Sequence, residues 1–209
     1  MSESQSHGFL IQFQILKNIY DYVELDSSRY TSKYDLCSEY NNVDPDRCNI
    51  SIKSTVSKKR VDMGDALRVF NSSKEDNLNM IVVHLVQDET KKKIVSVVQV
   101  NLTSQRELLF GEILCSDIET LKFMVKQKDM ENEAREFNKH LNQKSKHIQL
   151  NIKIDTKQRR LQCSFYNFQA FLLENPSLIV HHSNGPVFRG VKLDDVESGK
   201  RKRNKKNIG

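Results

Sequence analysis

Apolar positions along the chain follow two periods, and the switches between them mark out the elements. From Phe9 to Leu25 they recur at helical spacing through Phe13, Leu16, Ile19 or Tyr20, and Val23, which predicts an amphipathic helix. Residues 32–38 and 48–55 read as strands, and the segment between them, Tyr40 to Arg47, is dense in turn formers. Asp62 to Asn71 reads as a short helix. Met80 to Val86 is a strongly apolar strand and Ile94 to Leu102 another, joined by a turn at Gln87 to Lys91. Leu108 to Cys115 reads as a further strand. Asp117 takes the cap position of a long charged helix running to about Gln143, with Glu119 in its first turn. Ile148 to Ile154 alternates between apolar and polar, and a turn at Asp155 to Lys157 leads into Arg160 to Phe165, which predicts a hairpin with one buried face. Asn167 to Leu173 reads as a short helix ending before Pro176, and Leu178 to His181 and Val187 to Leu193 as final strands. This order predicts an α/β or α+β fold, a mixed β-sheet flanked by helices.

The stretch from Tyr34 to Phe70 carries the most chemistry. If 32–38 and 48–55 close as an antiparallel hairpin centred near Asp44, residue 53 is the partner of Asp35. Side chains alternate faces, so Asp35, Ser51 and Lys53 then share one face while Ile50 and Ile52 point into a core. A one-residue slip would separate Asp35 from Lys53. A carboxylate beside a lysine is suited to an anionic phosphodiester: a hard divalent ion on the carboxylate polarises the phosphoryl group, and the ammonium orients water or neutralises developing charge. The plainer reading is an ordinary solvated hairpin with an exposed Asp–Lys pair, and Asp62 as a helix N-cap.

On these residues the chain resembles the PD-(D/E)XK nuclease superfamily and, within it, type II restriction endonucleases. Asp35 matches the family's Asp, preceded by Tyr34 in place of Pro. Ser51-Ile52-Lys53 matches the acid-X-Lys triplet, with Ser in place of the acid. Some members with that Ser supply the missing carboxylate from the following helix. Asp65, twelve residues after Lys53, is the matching position, with Asp62 the second choice. The resemblance covers roughly residues 8–75, with a catalytic core of about 8–115. It implies a restriction-endonuclease-like fold and a Mg2+-dependent, site-specific endonuclease on double-stranded DNA, acting in a restriction system as a homodimer. Asp35 and Asp65 would hold the metal, with Lys53 and Ser51 completing the catalytic group. Two alternatives stay open: a repair or structure-specific nuclease, and a noncatalytic DNA- or RNA-binding protein that has lost a ligand at Ser51.

At 209 residues the chain reads as a single domain over 1–199 with a basic, flexible tail at 200–209. No repeats, interdomain linker, membrane-span-length apolar run or signal-peptide pattern is seen, and an intracellular, cytoplasmic protein is expected. The formal charge is +6, but the tail from Lys200 to Lys206 carries six cations, which leaves 27 basic against 27 acidic residues in the body. Bulk charge therefore does not argue for nucleic acid. The tail adds nonspecific phosphate affinity or resembles a nuclear localisation signal; equally, it is a solubilising end. Local DNA-binding candidates are Lys58, Lys59 and Arg60; Lys91, Lys92 and Lys93; the run from Lys157 to Arg160; and, with Gln149, Asn151 and Gln162, Lys153 and Arg160 on the polar face of the later hairpin. Cys37, Cys48, Cys115 and Cys163 lack CxxC spacing, against a zinc site or disulfide framework. His181 and His182 are adjacent and would face opposite sides of a strand, which disfavours a shared metal, and His84 reads as a core or sheet-face residue. No Gly-rich phosphate loop or nucleophile elbow occurs.

Overall fold

The apolar run at Met80 becomes the middle of the main sheet in a computed structural model, which describes residues 3–23, 34–57, 59–75, 77–88, 90–144 and 150–197. Lys58, Gln149, residues 32–33 and the tail at 200–209 lie outside the described residues. Strand β3 (Leu78–Gln87) pairs in parallel with β1 (Asn49–Thr55) and antiparallel with β4 (Lys91–Asn101). The far edge of β4 is shared: β7 (Ile179–Asn184) covers its second half and a last strand, β8 (Val196–Glu197), its start. The result is a mixed α/β fold.

Both faces of this sheet are covered, which is why β3 reads as an unbroken apolar run instead of alternating. Ile50, Ile52, Ile81, Val83, Leu85 and Val97 pack against the first helix, α1 (Glu3–Tyr20), through Ile11, Ile15, Leu16 and Tyr20, and against Phe188 and Leu193. Met80, Val82, Val98 and Val100 face the other core. That core is closed by a second antiparallel sheet, in the order β2 (Val61–Asp65), β6 (Arg160–Phe165), β5 (Leu150–Asp155), and by the helices α2 (Ala66–Glu75), α3 (Arg106–Phe110), α4 (Cys115–Lys126), α5 (Glu131–Lys144) and α6 (Phe168–Glu174). Phe165 is fully buried, with its ring 4.8 Å from Phe171 and 5.0 Å from Phe168. Truncating such a residue typically costs about 3–5 kcal/mol.

Several expectations change. The first helix ends at Tyr20, with Asp21 at φ 50°, and the final strand expected at Val187 to Leu193 is two short antiparallel strands, Val187–Phe188 and Val191–Lys192, turning at Arg189 and Gly190, both with positive φ. The strand expected at 32–38 reduces, in its described part, to a single bridge, Leu36 opposite Ile50, followed by a 3-10 turn at Ser38–Tyr40. The helix expected from Asp62 starts four residues later, because Val61 and Met63 alternate inward as a strand before the helical spacing of Ala66, Val69 and Phe70 begins. The strand expected at 108–115 is the short helix α3, whose turn buries Leu109 and Phe110 together and ends at Gly111, with φ 58°. The long helix expected over 117–143 is broken between α4 and α5. The buried stripe Ile118, Leu121, Val125 would next fall on Lys128 and Asp129, both exposed, so a straight helix would drive charge into the core. Asp117 lies inside the first turn of α4 and accepts the Leu114 N–H at 3.0 Å.

Candidate active site

The N–H groups of Ile50 and Ile52 point away from β3, towards residues 34–36. Ile50 donates to the Leu36 carbonyl at 2.8 Å, and the Leu36 N–H returns to the Ile50 carbonyl at 3.1 Å. At Ile52 no backbone partner continues the ladder, and the Asp35 carboxylate accepts its N–H instead. A side chain thus completes the edge of β1, and this fixes one oxygen of Asp35. The other oxygen makes no hydrogen bond among the described residues. The register differs from the expected hairpin: Leu36 opposite Ile50 places Asp35 nearest Ser51, two positions short of Lys53. A two-residue shift preserves the face, so Asp35 still acts on Lys53 electrostatically.

Lys53 shares the face of Ser51 and Thr55, towards the core closed by β2 and β6, and is only partly exposed. Its pKa is pushed down, first by burial and then by the Arg68 guanidinium, with Asp35 and the Cys163 thiol pulling the other way. Its ammonium makes no hydrogen bond or ion pair among the described residues. Arg68 reaches this place because of Gly64. Gly64 sits in a β-bulge of β2 with φ 93°, and a Cβ there would meet the Arg68 guanidinium at 2.9 Å. Tyr34, Ser51, Arg68 and Ser72 line a water-sized crevice of about 20 Å³ beside it, with the Tyr34 hydroxyl bonded to Ser72 at 3.1 Å. Cys163 is buried, its thiol pushed up to about 12 by burial and by Asp65, so it stays protonated and takes no part as a nucleophile.

The second expected carboxylate has a visible job. Asp65 caps α2, accepting the Arg68 N–H at 2.9 Å, while its other oxygen pairs with Lys122 of α4 at 3.0 Å. Such a cap is worth about 1 kcal/mol. Asp62 lies on the exposed side of β2, where Lys153 at 2.9 Å and Arg60 at 3.4 Å bind it. Burial raises its pKa, but these two cations outweigh that and hold it below the ordinary carboxylate range. Asp62 is therefore not the helix cap. Among the described residues no three His, Cys, Asp or Glu side chains gather into a metal-binding group. Mg2+ needs only one or two carboxylates besides water and substrate phosphate, so the Asp35 oxygen that accepts no hydrogen bond among the described residues could anchor it.

The expected DNA-contacting residues scatter. The Lys59 carbonyl accepts the Phe168 N–H, which ties the 57–60 loop to α6. Lys93 pairs with Asp88 at 2.8 Å, and Lys91 and Lys92 lie opposite Glu197 and Val196 at the sheet edge. Lys153 and Arg160 belong to the second sheet, with Arg160 exposed.

A second carboxylate–cation cluster was invisible in the sequence. Asp44, expected only as a turn residue, is 3% exposed. It accepts bonds from Tyr20 at 3.1 Å, Asn41 at 3.0 Å and Gln99 at 3.1 Å, and is paired with Arg189. Arg189 also bonds Gln99 at 2.9 Å. Burial, followed by Asp44, pushes the Tyr20 hydroxyl well above its ordinary pKa and the Cys48 thiol up to about 12.

No protein-family profile matches the chain, and neither a curated protein nor a solved structure matches it significantly. None of the described helices is long and apolar enough to cross a membrane.

Proposed function

We propose that the protein is a Mg2+-dependent endonuclease on double-stranded DNA, of type II restriction kind, with a restriction-endonuclease-like core and a homodimeric assembly. The supporting observation is the half-buried Lys53 ammonium, with a lowered pKa and no partner among the described residues, beside the backbone-anchored Asp35. A lysine left unpaired in a desolvated place is costly, and perturbed groups of this sort gather at functional sites. Asp35 would hold the metal. Asp65 would join it only by giving up Lys122. When bound, Mg2+ polarises the phosphoryl group and acidifies a water. Lys53 presents positive charge to the phosphate in a water-poor setting, where such charge acts strongly. Arg68 adds a second cation on the same side, and Ser51 offers a hydroxyl. Two sites related by a twofold axis would cut both strands.

The two tied carboxylates, Asp65 and Asp62, favour a second reading: a nucleic-acid-binding protein without catalysis. Incubation with unmethylated plasmid, with and without Mg2+, separates the two. Discrete Mg2+-dependent fragments support the restriction reading, and a smear supports a less specific nuclease. Retarded but intact plasmid supports the binding protein.

A further inference from the structure

A cavity of about 540 Å³ opens on the same sheet face as Lys53. Its floor is set by strand register. Thr55 pairs with His84, His84 with Ser96, and Ser96 with Asn184, one polar row across β1, β3, β4 and β7. At about 4.8 Å per strand the row is roughly 14 Å long. The neighbouring row runs Lys53, Val82, Val98, His182. One wall is apolar: Phe168, Leu172 and Leu173 of α6, the last 82% exposed.

We propose that this cavity binds an unpaired nucleobase of a nucleic-acid strand. The choice of ligand rests on the nuclease reading; the site itself does not need cleavage. Four observations converge. Among the described residues no Asp, Glu, Lys or Arg lines the cavity, so it suits a neutral body. The floor offers hydroxyl, imidazole and amide groups, which match the donor and acceptor edge of a base, while Phe168 and the leucines match its faces. The cations stand at the mouth instead. Ser57 lines the cavity and its hydroxyl accepts the N–H groups of Lys59 at 3.2 Å and Arg60 at 2.9 Å, so that exposed basic turn forms the rim, where a phosphate would lie. Finally, Thr55 is two residues from Lys53 on one face of β1, roughly 7 Å along the strand. A base seated here carries its backbone towards the Asp35–Lys53 site. The volume lies within the ordinary range for small-molecule sites, about 300–1,000 Å³.

The test uses the full chain without Mg2+ and a single-stranded oligonucleotide carrying one 2-aminopurine, whose fluorescence rises on unstacking. Wild type and the cleavage-impaired Asp35→Asn variant should both raise the fluorescence. Asn184→Leu and His182→Ala, both at exposed edge-strand positions, should each weaken that binding about tenfold with an unchanged thermal midpoint. As a second measurement, adenosine alone should shift the Ser96 and His182 amide resonances. If the oligonucleotide binds with no fluorescence change, or adenosine leaves both resonances in place, the cavity is not a base site. A wild type that raises the fluorescence and shows the adenosine shifts but never cuts plasmid removes the nuclease reading and leaves the base site standing; one that cuts plasmid but raises no fluorescence does the reverse.

Discussion

Asp35 stands just before the turn-rich segment and Asp44, nine residues on, inside it, and each faces a cation brought by another part of the chain. Their surroundings differ in one respect. Asp44 is buried with Tyr20, Asn41, Gln99 and Arg189 all donating to it, so charge and hydrogen-bonding capacity are matched. Asp35 has one oxygen fixed by a backbone N–H, and the Lys53 ammonium beside it lacks any partner among the described residues. A matched buried network rigidifies a fold; an unmatched one costs stability and leaves groups for a ligand to meet. The contrast gives Asp44 the task of holding the fold and supports the role proposed for Asp35.

The largest effect expected on breaking this contrast is at Asp44. Asp44→Ala leaves the half-buried Arg189 without its counter-ion and Tyr20, Asn41 and Gln99 without their buried acceptor, and should cost about 3–5 kcal/mol in urea unfolding. A loss below about 1 kcal/mol would mean that the network is ornamental. Next comes Lys53→Met. It removes an unpaired cation from a desolvated place, so stability should hold or rise slightly, while the rate of plasmid cleavage falls about 10²–10³-fold. The smallest effect belongs to Asp62→Asn. Its partners Lys153 and Arg60 meet it at an exposed position, and such pairs contribute about 0–1 kcal/mol.

The pH dependence sharpens the same contrast. Burial and Arg68 lower the Lys53 pKa in the folded protein. Between that value and the ordinary lysine value the unfolded chain binds more protons, so stability rises with pH across the window. The cation is lost over the same window, so cleavage should fall while stability climbs. In Lys53→Arg any residual activity should lose that alkaline limb, because arginine keeps its charge. A wild-type rate that stays flat up to the ordinary lysine range would show that Lys53 charge is not used.

The two clusters also differ in how far the sequence exposes them. The core strands and the later hairpin are legible because their periodicity is local, and Asp35 with Lys53 is legible because both flank one turn. The route between them is less so: a side chain replaces the expected strand pairing at Ile52, which no periodicity records. The β-bulge at Gly64 likewise hides the strand-to-helix switch that makes Asp65 a cap. Asp44 and Arg189 are 145 residues apart, and nothing local connects them. The polar row from Thr55 to Asn184 arises only when four strands settle into register.

The most direct measurement crosses the two clusters in one experiment. Lys53→Met and Arg189→Met are compared for unfolding free energy and for Mg2+-dependent plasmid cleavage at a temperature where both are folded. The account predicts that Lys53→Met is as stable as wild type and cuts about 10²–10³-fold more slowly, whereas Arg189→Met is destabilised by about 3–5 kcal/mol yet cuts at close to the wild-type rate. Cleavage at close to the wild-type rate in Lys53→Met, or its loss in a folded Arg189→Met, would contradict it.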